Sequence, residues 1–212
     1  MPETLLTVAI MAPPILISII LHEIAHGLVA KQLGDDTASR AGRLTLNPIP
    51  HIDPFGSIIL PLILVLSGSK FIFGWAKPVP VQFGNLRQPK RDMVAVALAG
   101  PGTNLILAVI STYLAFEFAR MDMQVLKQMA LVGLQINVVL AVFNMVPILP
   151  LDGGRVLFGL LPMPAAQQFA RLERYGMLIL VALLFSGVLN QVIEPLTRGL
   201  VNVLLSGRGG GG

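Results

Sequence analysis

The sequence predicts an all-α membrane protein, built as a helical bundle of four long transmembrane helices plus one shorter membrane segment. Of its 212 residues, 54% are hydrophobic and only 12% are charged, whereas a soluble domain is roughly a quarter charged. The mean hydropathy of the chain is +0.77. This composition excludes a disordered chain, a coiled coil and an ordinary soluble enzyme.

Four uncharged runs account for the long helices, because a helix needs about 20 apolar residues to cross a bilayer. They are Thr4–Leu21, Met93–Phe116, Gln128–Leu151 and Tyr175–Ile193. A fifth uncharged run, Pro54–Ser69, is shorter and contains two prolines and two glycines. We expect it to re-enter the membrane and return, or to form a fifth span. We expect residues 1–206 to form a single domain and the Gly-rich residues 207–212 to form a flexible tail.

The charge distribution predicts an orientation in the membrane. The chain has 15 basic and 11 acidic residues, a net charge of +4, and the basic residues lie between the apolar runs. This pattern indicates anchoring at a membrane surface rather than binding to nucleic acid. The basic loops after the first run and before the second and fourth runs are placed in the cytoplasm by the positive-inside rule. That scheme requires Pro54–Ser69 to make no net crossing. The start, Met1-Pro2-Glu3, lacks the basic residues of a secretory signal, so we expect the first segment to be retained.

The pattern His22-Glu23-x-x-His26 directly follows the first uncharged run, and the apolar stretch continues past it to Ala30. Residues four apart lie on one face of a helix, so both imidazoles can reach one zinc ion, and Glu23 can approach a water on that ion. Each ionisable group in the bilayer centre costs about 2.5–3.5 kcal/mol, and a bound cation would offset that cost. The alternative is a chance pattern near the helix end, with Glu23 reaching towards Lys31.

A zinc site with two histidines needs another ligand, and Asp152 is a better candidate for it than His51, the third histidine of the chain. It follows Pro147 and Pro150, which break the third long run, and it precedes two glycines. Non-helical backbone at membrane depth is tolerated only beside protein or a water-filled cavity. An acidic residue at such a break therefore indicates a site residue. The alternative is that Asp152 only caps a helix at Gly153–Leu161.

His51 is the third histidine of the chain. We interpret it as a loop or interface residue rather than a metal ligand. Asp53 precedes Pro54, and this pair is typical of a helix N-cap followed by proline at the first helical position.

These motifs together resemble the site-2 protease family of intramembrane zinc metalloproteases, peptidase M50. The resemblance rests on HExxH in a membrane helix, on Asn144-x-x-Pro-x-x-x-Leu-Asp152-Gly, and on Gly100-Pro101-x-x-Asn104 between them. It covers about Leu5 to Leu160. The runs Gly42–Pro54 and Gly74–Val81 are similar to the compact stand-alone branch, which has no PDZ or CBS domain, and we see no insertion of either size.

The resemblance implies one Zn²⁺ ion held by His22, His26 and Asp152, with Glu23 as the general base. It implies that Asn144 holds the substrate or stabilises the oxyanion. It also implies hydrolysis of a transmembrane protein substrate near the cytoplasmic face of a prokaryotic cell membrane. From the residues alone, Asn144 could equally form an interhelical hydrogen bond, and Asn104 fits a packing role as well as a site role.

The segment Trp75–Asn85 alternates valine and phenylalanine with proline and glycine. It predicts a small β-hairpin or edge strand that an unwound substrate could join. The alternative is an interfacial loop anchored by Trp75. Gln82 departs from the Asn that the branch often has there, which puts the local strand contacts in doubt.

Two other functions are compatible with a metal-binding membrane protein. One is a metal-dependent hydrolase of lipid amides, with the same zinc chemistry and a different groove. The other is a metal-binding or transport protein, which would need acidic or His residues along several helices. The runs Met93–Phe116 and Tyr175–Ile193 contain none, which disfavours transport.

Overall fold

The computed structural model describes residues 3–67 and 74–207. Within these ranges the protein is all-helical, with 78% helix and no strand. The α-helices are α1 (Glu3–Gln32), α2 (Thr37–Arg40), α3 (Leu60–Leu66), α4 (Pro89–Arg120), α5 (Gln124–Asn144), α6 (Asp152–Leu160), α7 (Met163–Ala170), α8 (Glu173–Phe185) and α9 (Val188–Ser206). The predicted Gly-rich tail lies outside the described residues from position 208 onward.

Among the described helices, three are long and apolar enough to cross a membrane, namely α1, α4 and α5. They pack against one another. α1 and α4 contain the first two predicted runs, and α5 contains the third run, Gln128–Leu151, only as far as Asn144. Ala108 of α4 and Leu134 and Val138 of α5 are fully buried where these two helices meet. The long-helix prediction is therefore confirmed for these three runs.

The fourth predicted run is divided between two helices. α8 ends at Phe185, and α9 begins at Val188 after a bend of 76°. Gly187 lies at the bend with φ 75°, a conformation that glycine adopts without the penalty paid by other residues. The two helices form either one broken span or a re-entrant pair, so Tyr175–Ile193 is not one straight helix.

The fifth run forms a short helical segment. A π-helical turn, Pro54–Ile59, continues into α3, and together they contain 13 residues, about 20 Å of helix. That length is well short of the roughly 30 Å hydrocarbon core of a bilayer. The carboxylate of Asp53 accepts hydrogen bonds from the backbone N–H groups of Phe55 and Gly56, which confirms the predicted N-cap. The last two residues of the predicted run lie outside the described ranges.

After this short segment the chain returns to the same end of the bundle, where α1 ends. The N–H of Trp75 donates to the carbonyl of Gly56 at 3.1 Å, which closes the base of the segment. The N–H of Arg87 donates to the carbonyl of Leu33 at 3.0 Å. Because Leu33 directly follows α1 and Arg87 lies two residues before α4, the end of α1 and the start of α4 are adjacent.

The β-hairpin predicted at Trp75–Asn85 is not present in the described structure. The segment is extended up to Gln82 and then forms a 3₁₀ turn, Phe83–Asn85. Prolines 78 and 80 have no N–H for a ladder. The N–H of Val79 donates a hydrogen bond to the carboxylate of Glu23, and the N–H of Gln82 donates one to the carboxylate of Asp35, each at 2.7 Å. Acidic side chains thus take the place of a partner strand.

Candidate metal centre

The two histidines of the HExxH pattern lie one turn apart on α1 and face the interior of the bundle. His22 is 6% exposed and His26 is 9% exposed. Their Nε2 atoms are 3.0 Å apart. The helical spacing in the sequence therefore places both imidazoles at one point.

Asp152 reaches the same point because the chain folds back after α5. The helix ends at Asn144, and α6 starts at Asp152 after a non-helical stretch. A Cβ on Gly153 would lie 2.6 Å from the carbonyl oxygen of Val146, so only glycine permits this close return. The Oδ2 atom of Asp152 lies 3.3 Å from Nε2 of His22 and 3.3 Å from Nε2 of His26.

These three atoms fit a tetrahedral metal ion. The possible ligand atoms of His22, His26 and Asp152 all lie within 4.8 Å of one another. Zinc bonds of about 2.0–2.1 Å in a tetrahedral arrangement separate neighbouring ligand atoms by roughly 3.3 Å. The Oδ2 atom of Asp152 is buried and has no hydrogen-bond partner among the residues that the structure describes, and a cation would satisfy it.

The protonation of His26 also favours a metal ligand. Its Nδ1 atom lies 2.7 Å from the carbonyl oxygen of Val96 on α4. A carbonyl oxygen only accepts hydrogen bonds, so Nδ1 carries the hydrogen in a neutral ring and Nε2 presents its lone pair. That lone pair faces the other two ligand atoms, and a bound cation would stabilise this arrangement.

Gly100 lets α4 pass directly against the Nε2 atoms of the two imidazoles. A Cβ on this residue would lie 2.5 Å from Cε1 and 2.6 Å from Nε2 of His22. The Gly-Pro-x-x-Asn pattern therefore lies against the candidate metal centre. Asn104, the last residue of that pattern, is fully buried, and its Oδ1 atom lies 2.5 Å from Nδ1 of His22.

Glu23 lies beside the three candidate ligands and is not one of them. Its half-buried side chain lines the same cavity, which has a volume of about 760 Å³. Its Oε2 atom accepts the hydrogen bond from Val79. The cavity extends along the apolar residues of α1 to the base of the Pro54–Leu66 segment and to Trp75.

Asn144 lines the same cavity at the end of α5. Its Nδ2 atom donates to the carbonyl of Leu140 at 3.0 Å, on its own helix. One amide hydrogen is used in this bond. The structure therefore places Asn144 in the cavity wall and not among the three clustered ligand atoms.

His51 is buried and also lines the cavity, but it does not belong to the cluster that could hold a metal ion. Its Nε2 atom lies 2.9 Å from the carbonyl oxygen of Thr45.

Sequence reasoning missed two backbone groups of the site, the carbonyl of Val96 and the N–H of Val79. No side-chain pattern signals such groups, since they depend on how distant segments pack.

Comparison with known proteins identifies the family. The profile of Peptidase family M50 matches residues 119–187, which include Asn144 and Asp152. The chain is 39% identical over 189 residues to the protein named "Putative zinc metalloprotease YwhC" of Bacillus subtilis (strain 168), covering 86% of this chain and 83% of that protein. The chain belongs to peptidase family M50.

A second M50 relative agrees with this assignment. The chain is 33% identical over 177 residues to a protein of the same description, Rip2 of Mycolicibacterium smegmatis, covering 83% of this chain and 66% of that protein. No solved structure gives a significant match. The M50 assignment makes this chain a zinc metalloprotease of the site-2 protease type, and its apolar helices indicate a multi-pass membrane protein.

Proposed function

We propose that this protein is an intramembrane zinc endopeptidase that hydrolyses peptide bonds of transmembrane protein substrates near the cytoplasmic face of the cell membrane. One observation carries the proposal. Three candidate ligand atoms from α1 and α6 converge at one end of an apolar cavity, and that cavity is bounded by helices long enough to cross a bilayer. A soluble protease would not need an apolar cavity that leads to its metal-ligating residues.

His22, His26 and Asp152 would hold the zinc ion, as the spacing of their atoms supports. When bound there, zinc would lower the pKa of a water molecule and polarise the scissile carbonyl. The single domain over residues 1–206 supplies all three proposed ligands.

Glu23 is the proposed general base. Its Oε2 atom accepts from Val79, which leaves Oε1 to take the proton from the attacking water. The same oxygen would then pass the proton to the amine nitrogen as the peptide bond breaks. The hydrogen bond to Val79 holds the carboxylate in one orientation while this transfer occurs.

Asn144 is the proposed donor to the substrate. Its Nδ2 atom donates one hydrogen to Leu140, and the second can donate to the substrate carbonyl oxygen. A fixed amide donor at that position would stabilise the negative charge that develops on this oxygen. The bond to Leu140 supports the role because it limits the rotation of the side chain.

The proposed topology follows from the return of the chain after α3. The end of α1 and the start of α4 are adjacent, so Pro54–Leu66 enters the membrane and turns back. The basic loops then face the cytoplasm under the positive-inside rule. His26 lies six residues before the end of α1, about 9 Å along the helix axis. Cleavage is therefore proposed close to the cytoplasmic face.

The test uses purified protein in liposomes with two probes, a synthetic single-span peptide with a Gly-Pro break in its centre and a lipid amide. Product masses identify the broken bond. We expect peptide cleavage by the unaltered chain and none by Glu23→Gln, which should retain zinc. Glu117→Gln, at the far end of α4, is the matched control and should cleave normally. Hydrolysis of the lipid amide without peptide cleavage would overturn the proposal.

A further inference from the structure

Three polar side chains form a buried chain of hydrogen bonds between α1, α4 and α5. Nδ1 of His22 lies 2.5 Å from Oδ1 of Asn104, and Nδ2 of Asn104 donates to Oδ1 of Asn137 at 2.7 Å. Nδ2 of Asn137 donates to the carbonyl of Gly133 at 2.8 Å. Asn104 is 0% exposed and Asn137 is 2% exposed. Neither asparagine is a candidate ligand or lines the cavity, so the proposed reaction leaves both unexplained.

The direction of this chain is fixed at its far end. The carbonyl oxygen of Gly133 can only accept, so the amide nitrogen of Asn137 must face it and the amide oxygen must face Asn104. Asn104 must then turn its nitrogen to Asn137 and its oxygen to His22. A second contact agrees, because Nδ2 of Asn104 also lies 3.4 Å from the carbonyl oxygen of Ser18, which likewise only accepts.

We propose that Asn104 is a positioning residue that fixes His22 as a metal ligand, and that Asn137 sets the orientation of Asn104. The inference rests on the proposed metal site. An oxygen acceptor at Nδ1 keeps the hydrogen of a neutral His22 on that atom and leaves the lone pair of Nε2 facing Asp152. The carbonyl of Val96 does the same for His26. Partners of this kind orient ligating histidines, and their loss typically lowers metal affinity by about 10–100-fold.

The placement of Asn104 on α4 supports this role. Gly100 and Asn104 are four residues apart and lie on one face of the helix, towards His22. The glycine permits close approach to the imidazole, and the asparagine bonds its Nδ1 atom. The alternative is that Asn104 only links three helices, in which case its loss would alter stability and leave the metal affinity of the folded protein unchanged.

The experiment measures the zinc dissociation constant by chelator competition, the absorption spectrum of the Co²⁺-substituted protein, and the unfolding temperature without metal. Asn104→Leu keeps the number of side-chain heavy atoms and the branching at Cγ, and it removes the hydrogen bonds to His22, Asn137 and Ser18. Asn104→Asp keeps an acceptor for His22. Thr112→Val is the matched control, because Thr112 is buried on the same helix and bonds only the carbonyl of Ala108.

We expect Asn104→Leu to raise the zinc dissociation constant by about 10–100-fold and to change the cobalt spectrum. Asn104→Asp should restore the affinity to within about threefold of the unaltered chain, and Thr112→Val should not change it. Asn137→Leu keeps the contact with His22 and loses only the fixed orientation, so its effect should be smaller than that of Asn104→Leu.

Unchanged zinc affinity and cobalt spectrum in folded Asn104→Leu would overturn the inference. If that variant does not fold, unchanged affinity in Asn137→Leu together with weakened affinity in Asn104→Asp would overturn it. Failure of the proposed function is distinguishable, since the unaltered chain would then bind no zinc or Asp152→Ala would bind it equally well.

Discussion

The backbone N–H of Val79 donates a hydrogen bond of 2.7 Å to the Oε2 atom of Glu23. This contact belongs to a regular series along the extended segment. The N–H of Trp75 bonds the carbonyl of Gly56, and the N–H of Lys77 bonds the carbonyl of His51. Every second residue therefore directs its N–H towards the protein, and the segment forms a fixed wall of the cavity against the proposed base.

Replacing Val79 by proline tests whether this wall orients Glu23. Val79→Pro removes the N–H, and Val79→Ala, the matched control, keeps it while losing a similar part of the packing. Because a hydrogen bond to a charged group contributes about 1.5–3 kcal/mol, we expect kcat for Val79→Pro to fall at least about tenfold below that of Val79→Ala. Zinc content should be equal in both variants. Equal kcat values would show that the N–H does not orient the base.

Removing the carboxylate of Asp152 should weaken zinc binding, because it deletes a proposed ligand. We expect Asp152→Ala to lower zinc affinity by more than about 100-fold, beyond the loss typical of a residue that only supports a ligand. Asp92→Ala is the control, since Asp92 is also buried but accepts from the N–H of Gln88 at the start of α4. Metal analysis of both purified variants measures the difference. Equal zinc content in the two would remove Asp152 from the ligand set.

Local patterns in the sequence were sufficient to predict that the two imidazoles lie together, because helical spacing alone places His22 and His26 on one face. Asp152 was predicted from its place after the proline break in the third long run and from the resemblance to the site-2 protease family. The adjacency of Leu33 and Arg87 agrees with the expectation that Pro54–Ser69 makes no net crossing. Covalent order and helix geometry therefore determine most of the candidate metal centre.

The parts that the sequence did not predict depend on tertiary contacts. The alternation of Val79 and its neighbours indicated a strand, but the carboxylates of Glu23 and Asp35 accept the N–H groups that a ladder would use. The bend at Gly187 interrupts a run that contains no charged residue, and hydropathy carries no information on backbone direction. The contact between Asn104 and His22 joins residues 82 positions apart, and only packing of α4 on α1 creates it.

A methyl group placed against the Nε2 atoms of the imidazoles should displace the rings. In Gly100→Ala the new Cβ would lie about 2.5 Å from atoms of His22, so we expect zinc binding and peptide cleavage to be lost. Gly102→Ala is the matched control on the same helix, because its Cβ would meet nothing within 4 Å. Alanine there should raise helix stability by up to about 1 kcal/mol and leave zinc content unchanged. Zinc analysis and unfolding temperatures of the two variants check both expectations. Full zinc content in Gly100→Ala would show that α4 does not approach the ligands this closely.

Asp35 anchors the other end of the extended segment and should make the protein sensitive to acid. Burial alone would raise the pKa of Asp35, but hydrogen bonds from Thr37, from Asn85 and from the N–H of Gln82 outweigh it and hold the pKa below its usual value. A carboxyl group with a lowered pKa in the folded state contributes stability above its unfolded pKa, about 3.9. That contribution is lost as the pH falls through the folded pKa.

Asp35→Asn should therefore destabilise the protein at pH 7, on the order of 1–3 kcal/mol, because an amide cannot accept all of these bonds. The difference from the unaltered chain should shrink as the pH falls below about 4, where the carboxyl group of the unfolded chain takes up a proton, and should vanish below the lowered pKa of the native carboxyl group. Denaturant unfolding in detergent micelles at several pH values measures this difference. Asp36→Asn is the control, since Asp36 forms only an exposed ion pair with Arg40 and should matter little at any pH. The free energy of unfolding of Asp35→Asn could instead differ from that of the unaltered chain by a constant amount down to pH 3. In that case the ionised carboxylate of Asp35 would not be the group that holds Gln82, and the cavity wall beside Glu23, in place.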